Sequence, residues 1–360
     1  NNYYVNPSGS GNKFIGQIGA AGSATLAQWK TATGQEANSI SSDPLFTSST
    51  NLALQSGSPA LNAGIAITGI TTDINSATRT IPPAMGAFEG KLLVSAKIFL
   101  QGAYSSGPGR HKDVTATWAA VLNANALNQP YNTTAFGNYN GGENVPAGFF
   151  TSSGAATDIT DWVLLELRDA ATPSTIIARR AAFVREDGMI VDVDGVSAVS
   201  FSSLAVGNYF IAIRHRNHLG IRTAVTHAVS GSGVAPVLYD FTIGQSQAYQ
   251  DIAITTNAAM AQTASVFMLW AGNVNQDIYV RATTQTIPPP VKPSDAAAIL
   301  VILGGDPNAS GGYTPGDVNL DGYTRATTQT LPPPAKPSDA AFILSTPLNG
   351  DSNATRREHK

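Results

Sequence analysis

The chain reads Asn273-Val-Asn-Gln-Asp-Ile-Tyr-Val-Arg-Ala-Thr-Thr-Gln-Thr-Ile-Pro-Pro-Pro-Val-Lys-Pro-Ser-Asp-Ala-Ala297 and, 44 residues later, Asp317-Val-Asn-Leu-Asp-Gly-Tyr-Thr-Arg-Ala-Thr-Thr-Gln-Thr-Leu-Pro-Pro-Pro-Ala-Lys-Pro-Ser-Asp-Ala-Ala341. Of the 25 aligned positions, 19 are identical. Identity at that level and at a fixed offset indicates a duplicated structural unit. The second copy opens with Asp-x-Asn-x-Asp-Gly, a pattern typical of calcium-binding loops.

The second copy offers a set of oxygen donors for calcium. Calcium is a hard cation that takes about six to eight oxygen ligands, and alternate residues of a tight loop can direct theirs inward. Asp317, Asn319 and Asp321 stand at loop positions 1, 3 and 5. Gly322 at position 6 permits the sharp turn, and Tyr323 at position 7 offers its backbone carbonyl.

The acid that would close the loop is displaced along the chain. An EF-hand loop carries a bidentate acid at position 12, where this chain has Thr328. The next acid is Asp339, which follows Ser338 and opens an apolar run. Ser338 predicts a helix N-cap, so that Asp339 could reach back to the ion across an 11-residue insertion.

Paired loops of this kind, each followed by a short helix, resemble the dockerin module of secreted bacterial enzymes, over about residues 270–355. The resemblance implies calcium ligands in both copies: Asp317, Asn319, Asp321, Tyr323 and Asp339 in the second, and Asn273, Asn275, Asp277, Tyr279 and Asp295 in the first. The first copy departs from the pattern, because Asn273 replaces a carboxylate and Ile278 replaces the glycine. We therefore expect its site to be weaker or empty. The insertion removes the positions that grip a cohesin, so calcium binding is implied and cohesin binding is not.

The inserted arm, Arg-Ala-Thr-Thr-Gln-Thr-(Ile/Leu)-Pro-Pro-Pro, is the most closely repeated part of the unit. Three consecutive prolines favour an extended polyproline II segment. Such an arm could present a surface to a partner, or it could pack across its own module. The sequence leaves both alternatives open.

Composition narrows the class of protein. The 360 residues contain no cysteine, which excludes disulfides and thiolate metal sites, and a net charge of −3 gives no basic surface for nucleic acid. Charged residues make up 12% of the chain, with 34 glycines and 21 prolines, which favours loops and β-structure. No apolar run reaches about 18 residues, so we expect no membrane span.

The sequence predicts a mainly β protein of three domains. Residues 1–90 contain short apolar segments between polar turns, as in a β-solenoid. Within them, Ser42–Phe46, Ser56–Gly64 and Pro82–Glu89 resemble the closing coils of right-handed parallel β-helix proteins of the bacterial surface. We expect residues 91–266 to form an antiparallel β-sandwich. We expect residues 267–360 to form the small helical, dockerin-like module.

Strands of the middle segment are predicted from runs of β-branched and aromatic residues: Asp161–Arg168, Thr175–Arg179, Met189–Val193, Val199–Phe201 and Asn208–Arg214. Asp187-Gly188 and Asp194-Gly195 predict hairpin turns between them. One stretch, Asp113–Leu127, has its apolar residues near a 3.6-residue period and predicts a helix.

The opening Asn1-Asn2-Tyr3-Tyr4-Val5 shows no signal-peptide pattern, and only the end of a solenoid is present. We therefore expect a fragment or processed product of a longer chain. The first strand of a truncated solenoid would be an open edge, which predicts head-to-tail association through added strands.

The order of the three segments resembles a recurrent arrangement in large surface proteins exported by the type IX route, which implies an extracellular or cell-surface location. No residue set predicts an enzyme. His215 and His218 are poorly placed to share a metal, because we expect His218 to lie in a turn. Glu186, Asp192 and Asp194 have no spacing that fixes a catalytic pair.

Three functions follow from this reading. The favoured one is a non-catalytic segment of an adhesin-like or structural surface protein that binds a glycan or protein ligand and is stabilised by Ca²⁺. One alternative is the accessory tail of a carbohydrate-active β-helix enzyme, and the other is a self-assembling extracellular filament subunit. An acidic cleft on residues 1–90 would favour the enzyme tail.

Overall fold

The computed structural model describes residues 1–359 with the following gaps: 6–10, 12, 47, 51, 53, 55–57, 62, 75–78, 80, 81, 203, 205, 206, 232–234, 288, 290 and 331–334. The described chain is mainly β. Its contacts divide it into two compact units: the first is Asn1–Val94, Ser200–Gly207 and Ala228–Val237, and the second is Ser95–Val199, Asn208–His227 and Leu238–Lys360. The three domains predicted above remain a prediction.

The described strands are short, apart from three long ones near the middle of the chain. They are β1 (Gly16–Ile18), β2 (Ala21–Ser23), β3 (Lys91–Lys97), β4 (Tyr104–Ser105), β5 (Arg110–His111), β6 (Ile159–Arg168), β7 (Ile176–Arg185), β8 (Ile190–Val191), β9 (Val199–Ser202), β10 (Gly207–His215), β11 (His218–Arg222), β12 (His227–Gly231), β13 (Leu238–Asp240), β14 (Ala261–Thr263), β15 (Val266–Met268), β16 (Tyr279–Val280) and β17 (Arg356–Arg357). The helices are α1 (Leu26–Thr33), α2 (Ala116–Asn125), α3 (Asp295–Ile302) and α4 (Asp339–Ser345). None of these helices combines the length and apolar character needed to cross a bilayer.

In the first unit, β1 and β2 form an antiparallel hairpin, and α1 follows it. Thr25 and Gln28 make a capping box at the start of α1, which satisfies backbone donors that the first helical turn leaves unpaired. A parallel bridge joins Asn2 to Ile40. The β-helix predicted for residues 1–90 stays a prediction, and several of its residues, including Ser56, lie outside the described part of the chain.

In the second unit, antiparallel strands are ordered β11, β10, β6, β7 and β8. Ten residues of β6 are enclosed along almost their whole length, because α2 and the loop after it cover one face. The indole of Trp118 on α2 donates to the Thr160 carbonyl, and the indole of Trp162 donates to the Ala126 carbonyl, each at 2.7 Å. The phenol of Tyr131 donates to the Trp162 carbonyl.

The strands and the helix predicted for this unit are confirmed, whereas the β-sandwich stays a prediction. Strands lie at all five predicted runs, and the predicted helix is α2, capped by Thr115. Asp187-Gly188 turns between the paired strands β7 and β8. Asp194-Gly195 also makes a turn, but the hairpin predicted there is wrong, because β8 pairs with β7 whereas β9 pairs with β3.

The duplicated module forms one small core in which equivalent residues of the two copies meet. The fully buried residues of this core are Leu219, Val274, Val280, Ile299, Val318, Ile343 and Leu348. Val274 and Val318 occupy loop position 2 of their copies, and Ile299 and Ile343 lie on α3 and α4, which pack together. Each copy therefore supplies about half of an interior that neither would enclose alone.

The two copies also exchange backbone pairing. In the first copy, β16 at the loop exit pairs with β17, which follows the helix of the second copy. In the second copy, Thr324 at the loop exit pairs with Gly311, which follows the helix of the first. The Thr324 and Gly311 amides donate to each other's carbonyls at 2.8 and 3.0 Å. The two copies therefore form one structural module and are not two independent repeats joined end to end.

Gly102 marks a close backbone approach between the strand layer and the second loop. A Cβ atom at Gly102 would overlap the Val318 carbonyl, which cannot move without the loop. We expect Gly102→Ala to lower the free energy of unfolding by about 1–3 kcal/mol, the usual range for overpacking. Gly107→Ala is the matched control, because no atom lies within 4 Å of its added methyl group. Guanidinium unfolding curves measure both, and an unchanged Gly102→Ala midpoint would contradict the packing described.

Buried neutral histidine makes the fold sensitive to acid. The Leu100 amide donates to His111 Nε2 at 2.8 Å, so the ring is neutral and its Nδ1 donates to the Arg185 carbonyl. Burial lowers the pKa of His111 to about 3. Because the unfolded chain takes up this proton below about pH 6.5, protons favour unfolding.

We expect the His111 contribution to the free energy of unfolding to be greatest above about pH 6.5 and to fall towards pH 4. The His111 contribution is up to about 1.4 kcal/mol per pH unit. Urea unfolding at several pH values measures the slope, which His111→Gln should reduce. The same dependence of stability on pH in the wild type and in His111→Gln would show this expectation to be wrong.

Candidate metal centre

The second loop, Asp317–Tyr323, wraps around the side chain of its first residue. The Asp321 and Gly322 amides donate to the two Asp317 carboxylate oxygens at 3.1 and 3.0 Å. Asn319 Oδ1 also accepts from the Asp321 amide at 3.0 Å. Gly322 has φ of +91°, a left-handed conformation that glycine adopts without strain. The loop therefore turns where the sequence predicts.

Asp339 reaches back to the loop, and the inserted arm is what brings it there. The second arm, residues 325–337, closes on itself where the Gln329 and Lys336 backbones pair, at 3.0 and 2.7 Å. The Asp339 amide then donates to the Arg325 carbonyl at 3.0 Å. An 11-residue insertion therefore leaves the distance between loop and helix short.

The Asp339 carboxylate lies directly on the loop backbone. One oxygen accepts from the Val318 amide at 2.9 Å and, more distantly, from Asn319, and the other accepts from the Arg325 amide at 2.8 Å. Ser338 caps α4 by accepting from the Ala341 amide, as predicted. The carboxylate is thus held by three amides at the start of a helix, with lone pairs left for a further partner.

Burial concentrates negative charge in this loop. Asp317 and Asp339 are both completely buried. Burial raises the pKa of Asp317 to about 7, with Arg216 opposing the rise and Asp321 adding to it. Burial and the charge of Asp317 raise the pKa of Asp339 to about 8. A divalent cation between these groups would reverse both effects.

Protein cations approach the loop from two sides. Lys112 Nζ donates to the Asn319 carbonyl at 3.2 Å, and Arg325 lies 3.0 Å from Asp321. The Arg325 guanidinium stacks on the Tyr323 ring at 4.2 Å. These contacts offset part of the loop charge, and they leave Asp317 and Asp339 without an ion pair of their own among the described residues.

The donors fit calcium by their chemistry. All five predicted ligands of the second copy offer oxygen, and the two deeply buried ones are carboxylates. Within the described part of the chain, no three Asp, Glu, His or Cys side chains are grouped as a metal site. Asp317, Asp321 and Asp339 are therefore not drawn together as a three-carboxylate group, and the loop's other oxygen donors are the Asn319 amide and the Tyr323 carbonyl. Asp317, Asn319, Asp321, Tyr323 and Asp339 would hold the ion.

The first loop, Asn273–Tyr279, has the same frame with weaker donors. Asp295 accepts from the Val274 and Arg281 amides at 2.8 Å each, as Asp339 does in the second copy. Asn273, however, donates its amide to the Asp277 carbonyl at 2.9 Å, so its side chain acts as a donor within the loop. Asn273 Oδ1 is buried and has no hydrogen-bond partner within the described structure.

The two loops also differ in backbone path. Position 4 is left-handed in both, as Gln276 at φ +60° and Leu320 at φ +54°. At position 6, Gly322 has a positive φ angle, whereas the φ angle of Ile278 is not positive. Asn275 Oδ1 accepts from the Asp277 amide at 3.0 Å, and the Tyr279 amide donates to Asp277 Oδ1. With an amide at position 1, the first loop fits calcium less well.

Each arm packs at its base against the other copy. Thr283 of the first arm donates to the Ser352 carbonyl, and Thr327 of the second donates to the Pro307 carbonyl, both at 2.9 Å. This supports packing for the described base of each arm. At the tip, Ile287 is 80% exposed. The polyproline conformation predicted for the tips falls on Pro288, Pro290 and residues 331–334, which lie outside the described residues.

Asn217, which the sequence did not mark, touches the start of both loops. It lies in the two-residue turn between β10 and β11. Its carbonyl accepts from the Asn273 amide at 2.9 Å, and its side-chain amide donates to the Asp317 carbonyl at 2.7 Å. One buried residue therefore sets the position of loop position 1 in both copies.

A buried polar network stands behind Asn217. Asp161 accepts from His215 Nε2 at 3.2 Å, from Arg216 Nε at 3.1 Å and from the Tyr313 phenol at 2.7 Å. Burial alone would raise the pKa of Asp161, but Arg216 and His215 outweigh it and hold the pKa at about 2. His218 Nδ1 donates to the Asn217 side-chain oxygen at 2.8 Å. The network joins β6, the β10–β11 turn and the repeat module.

The expectation that His218 lies in a turn is wrong. His218 begins β11 and pairs directly with His215, because the turn contains only Arg216 and Asn217. The two rings lie 4.7 Å apart. Burial and neighbouring positive groups lower the pKa of His218 far below its ordinary value, so it is a neutral hydrogen-bonding group. The Gly102 amide donates to its Nε2, which fixes the tautomer.

The three acids weighed as catalytic candidates have separate structural partners. Glu186 pairs with Arg110 at 2.6 Å, and Asp192 pairs with Arg180 at 2.6 Å. Asp194 accepts from backbone amides of its own turn. These contacts hold the chain in place and define no shared reacting position.

A longer repeat was present in the sequence and was missed. Gly305-Asp-Pro-Asn-Ala-Ser310 returns as Gly350-Asp-Ser-Asn-Ala-Thr355 at an offset of 45 rather than 44. Both stretches form the same turn, in which Asp306 accepts from Asn308 and Asp351 accepts from Asn353 at 2.8 Å. These are the turns against which the arms pack. Because the offset changes from 44 to 45, these turns do not match when the two copies are aligned without a gap.

Comparison of the chain with protein-family models, with curated proteins and with solved structures finds no match. The site described above therefore rests on the sequence and geometry of this chain alone.

Asn217 offers a test of how the loops are positioned. We expect Asn217→Ala to lower the free energy of unfolding by about 1–3 kcal/mol, because it strips a buried donor from the Asp317 carbonyl and a buried acceptor from His218. Gln276→Ala is the control, since it removes one partly buried bond to the Arg216 carbonyl. Urea unfolding measures both, and equal small losses would contradict a central role for Asn217.

Proposed function

We propose that this chain is a non-catalytic segment of an extracellular or cell-surface protein, adhesin-like or structural, whose C-terminal repeats are stabilised by calcium. The observation that carries the proposal is the return of Asp339 to the second loop across the closed arm. A buried carboxylate brought back over an insertion has a clear use if it completes a cation site. Secretion by the type IX route, and binding of a glycan or protein ligand, belong to the same proposal.

Calcium would act here as a structural ion. Bound in the second loop, it supplies positive charge that neutralises carboxylates held in a buried setting. The chain's own residues then do the rest: Asp317 orders the loop, Asp339 joins the loop to α4, and Asn217 joins the loop to the sheet. Occupancy of the loop would stiffen the connection between repeat module and β-strands.

The expected energy is moderate. Extracellular calcium modules bind with Kd values of about 10⁻⁴ to 10⁻³ M. At ten times the Kd, one site stabilises the folded state by about 1.4 kcal/mol. That amount is a substantial part of the net stability of a typical domain, about 5–15 kcal/mol.

Self-association is a second candidate, favoured by an observation in the first unit. A hollow of about 670 Å³ there is lined largely by apolar groups, and it includes Ile65 and Ile67, both 63% exposed. Exposed apolar surface of this kind is typical of contact sites. The described lining of the hollow holds Arg79 and no acid, so it does not favour the enzyme-tail alternative.

Calcium titration tests the main proposal. We expect calorimetry to find one site per wild-type chain in the submillimolar to millimolar range, and chelation to lower the melting temperature of the calcium-loaded protein by a few degrees. Asp321→Ala should abolish both effects. Asp113→Ala, a largely exposed acid outside the loops, should leave both unchanged.

A gain-of-function variant makes this test sharper. Asn273→Asp combined with Ile278→Gly gives the first loop the residues of the second at positions 1 and 6. We expect a second calcium site in this variant. A wild-type chain without calcium-dependent melting, together with a double variant that binds none, would end the calcium proposal.

A further inference from the structure

A charged row crosses the sheet at a distance from the repeat module's loops. Register places Arg222 on β11 opposite Ala212 on β10, Ala212 opposite Glu166 on β6, and Glu166 opposite Arg179 on β7. Directly opposed residues of antiparallel strands share a face of the sheet. Ala212, the smallest residue of the row, lines a separate hollow of only about 10 Å³, and Glu358 lines that hollow beside the arginines.

Two more arginines flank the row on the same face, because residues two apart on a strand point the same way. Arg168 follows Glu166 on β6, and Arg214 follows Ala212 on β10. Glu166 is fully buried, and its two oxygens are taken by Arg168 at 2.5 Å and Arg179 at 3.2 Å. The single negative charge of Glu166 is therefore shared between the positive charges of Arg168 and Arg179.

The other two arginines are oriented by neutral groups. Arg214 donates to the Ala135 carbonyl at 3.0 Å and stacks on Phe136 at 4.6 Å. Arg222 lies between aromatic rings, 3.6 Å from the Tyr249 centroid and 4.8 Å from that of Phe210. Stacking of this kind fixes the plane of a guanidinium. Arg222 Nη1 donates to the Thr223 carbonyl at 3.4 Å.

These side chains surround a cavity of about 310 Å³ lined by Glu166, Arg168, Pro173, Ser174, Ile176, Arg214 and Arg222. Arg222 is only 7% exposed, and its Nε is buried without a hydrogen-bond partner within the described structure. A buried charged donor without a partner destabilises the folded state. An incoming acceptor would recover that loss.

We propose that this cavity binds a compact anionic group, a carboxylate or a sulfate, carried on a small ligand or at the end of a larger one. The planar guanidinium fork matches both groups through paired N–H···O bonds. The volume lies at the lower end of the range for ligand pockets, about 300–1,000 Å³, which suits a ligand of roughly one sugar ring. The anion would sit between Arg214 and Arg222, with Glu166 already neutralised.

The site is independent of calcium, so it goes beyond the function proposed above and can fail separately from it. Its ligand class is nevertheless one that a surface protein would meet, since acidic sugars carry their charge as carboxylate or sulfate. The adjoining Ser174 hydroxyl and Pro173 face the same cavity and offer a polar and an apolar contact for the rest of a ring.

Matched sugars test the site in the intact 360-residue chain with calcium present. Calorimetric or NMR titration compares glucuronate, glucose 6-sulfate and glucose, which share a ring and differ in charge. We expect glucuronate or glucose 6-sulfate to bind at least tenfold more tightly than glucose, and the preference between them identifies the anion. Raised salt should weaken the binding.

Variants identify the residues responsible. Arg222→Gln and Arg214→Gln should each weaken anion binding about tenfold, whereas Arg185→Gln, on the same sheet and paired with Asp187 outside the cavity, should not. Arg214 is partly exposed, so its variant serves even if Arg222→Gln proves unstable. Equal binding of charged and neutral sugars, absence of binding by all three, or anion binding that survives both substitutions would overturn the proposal.

Discussion

The repeat module depends on one turn of the β-sheet. Arg216 and Asn217 form the whole connection between β10 and β11, and Asn217 contacts the first residue of each loop. Because its groups are completely buried, each hydrogen bond it makes has no competing water. The sheet therefore helps to position the loops of the module, in addition to their own sequence. The hydrogen bonds of the Asp161 network hold the turn in place.

The duplicated loops show how one framework can hold two different charge states. Both copies return a buried aspartate to the loop amides, so the hydrogen bonds of Asp295 and Asp339 are nearly the same. They differ at position 1, where an amide donates within the first loop and a carboxylate accepts within the second. Burying two carboxylates raises the electrostatic cost, which protonation or a bound cation would lower. The two copies share the framework and differ in the charge at position 1.

Local sequence predicted local structure well and distant pairing poorly. The helix at Asp339 and its cap at Ser338 were readable because capping uses adjacent residues. The strands could be predicted from runs of β-branched residues. The role of Asn217 could not be predicted, because a single asparagine in a turn does not indicate which distant residues it contacts. The arginine cavity also escaped notice, because its residues meet only through the register of four strands. The repeated motif indicated the two loops, but it did not indicate that the two copies pair with each other's backbone.

The exchange of pairing between the copies has a consequence for assembly. Because β16 is completed by β17, and Thr324 by Gly311, each half of the module carries edges that only the other half satisfies. A chain holding a single copy would expose those edges and would find its missing partner in another chain, which is the geometry of domain swapping. Duplication within one polypeptide therefore keeps the contact intramolecular. Within this chain, the second copy takes the place of a partner subunit.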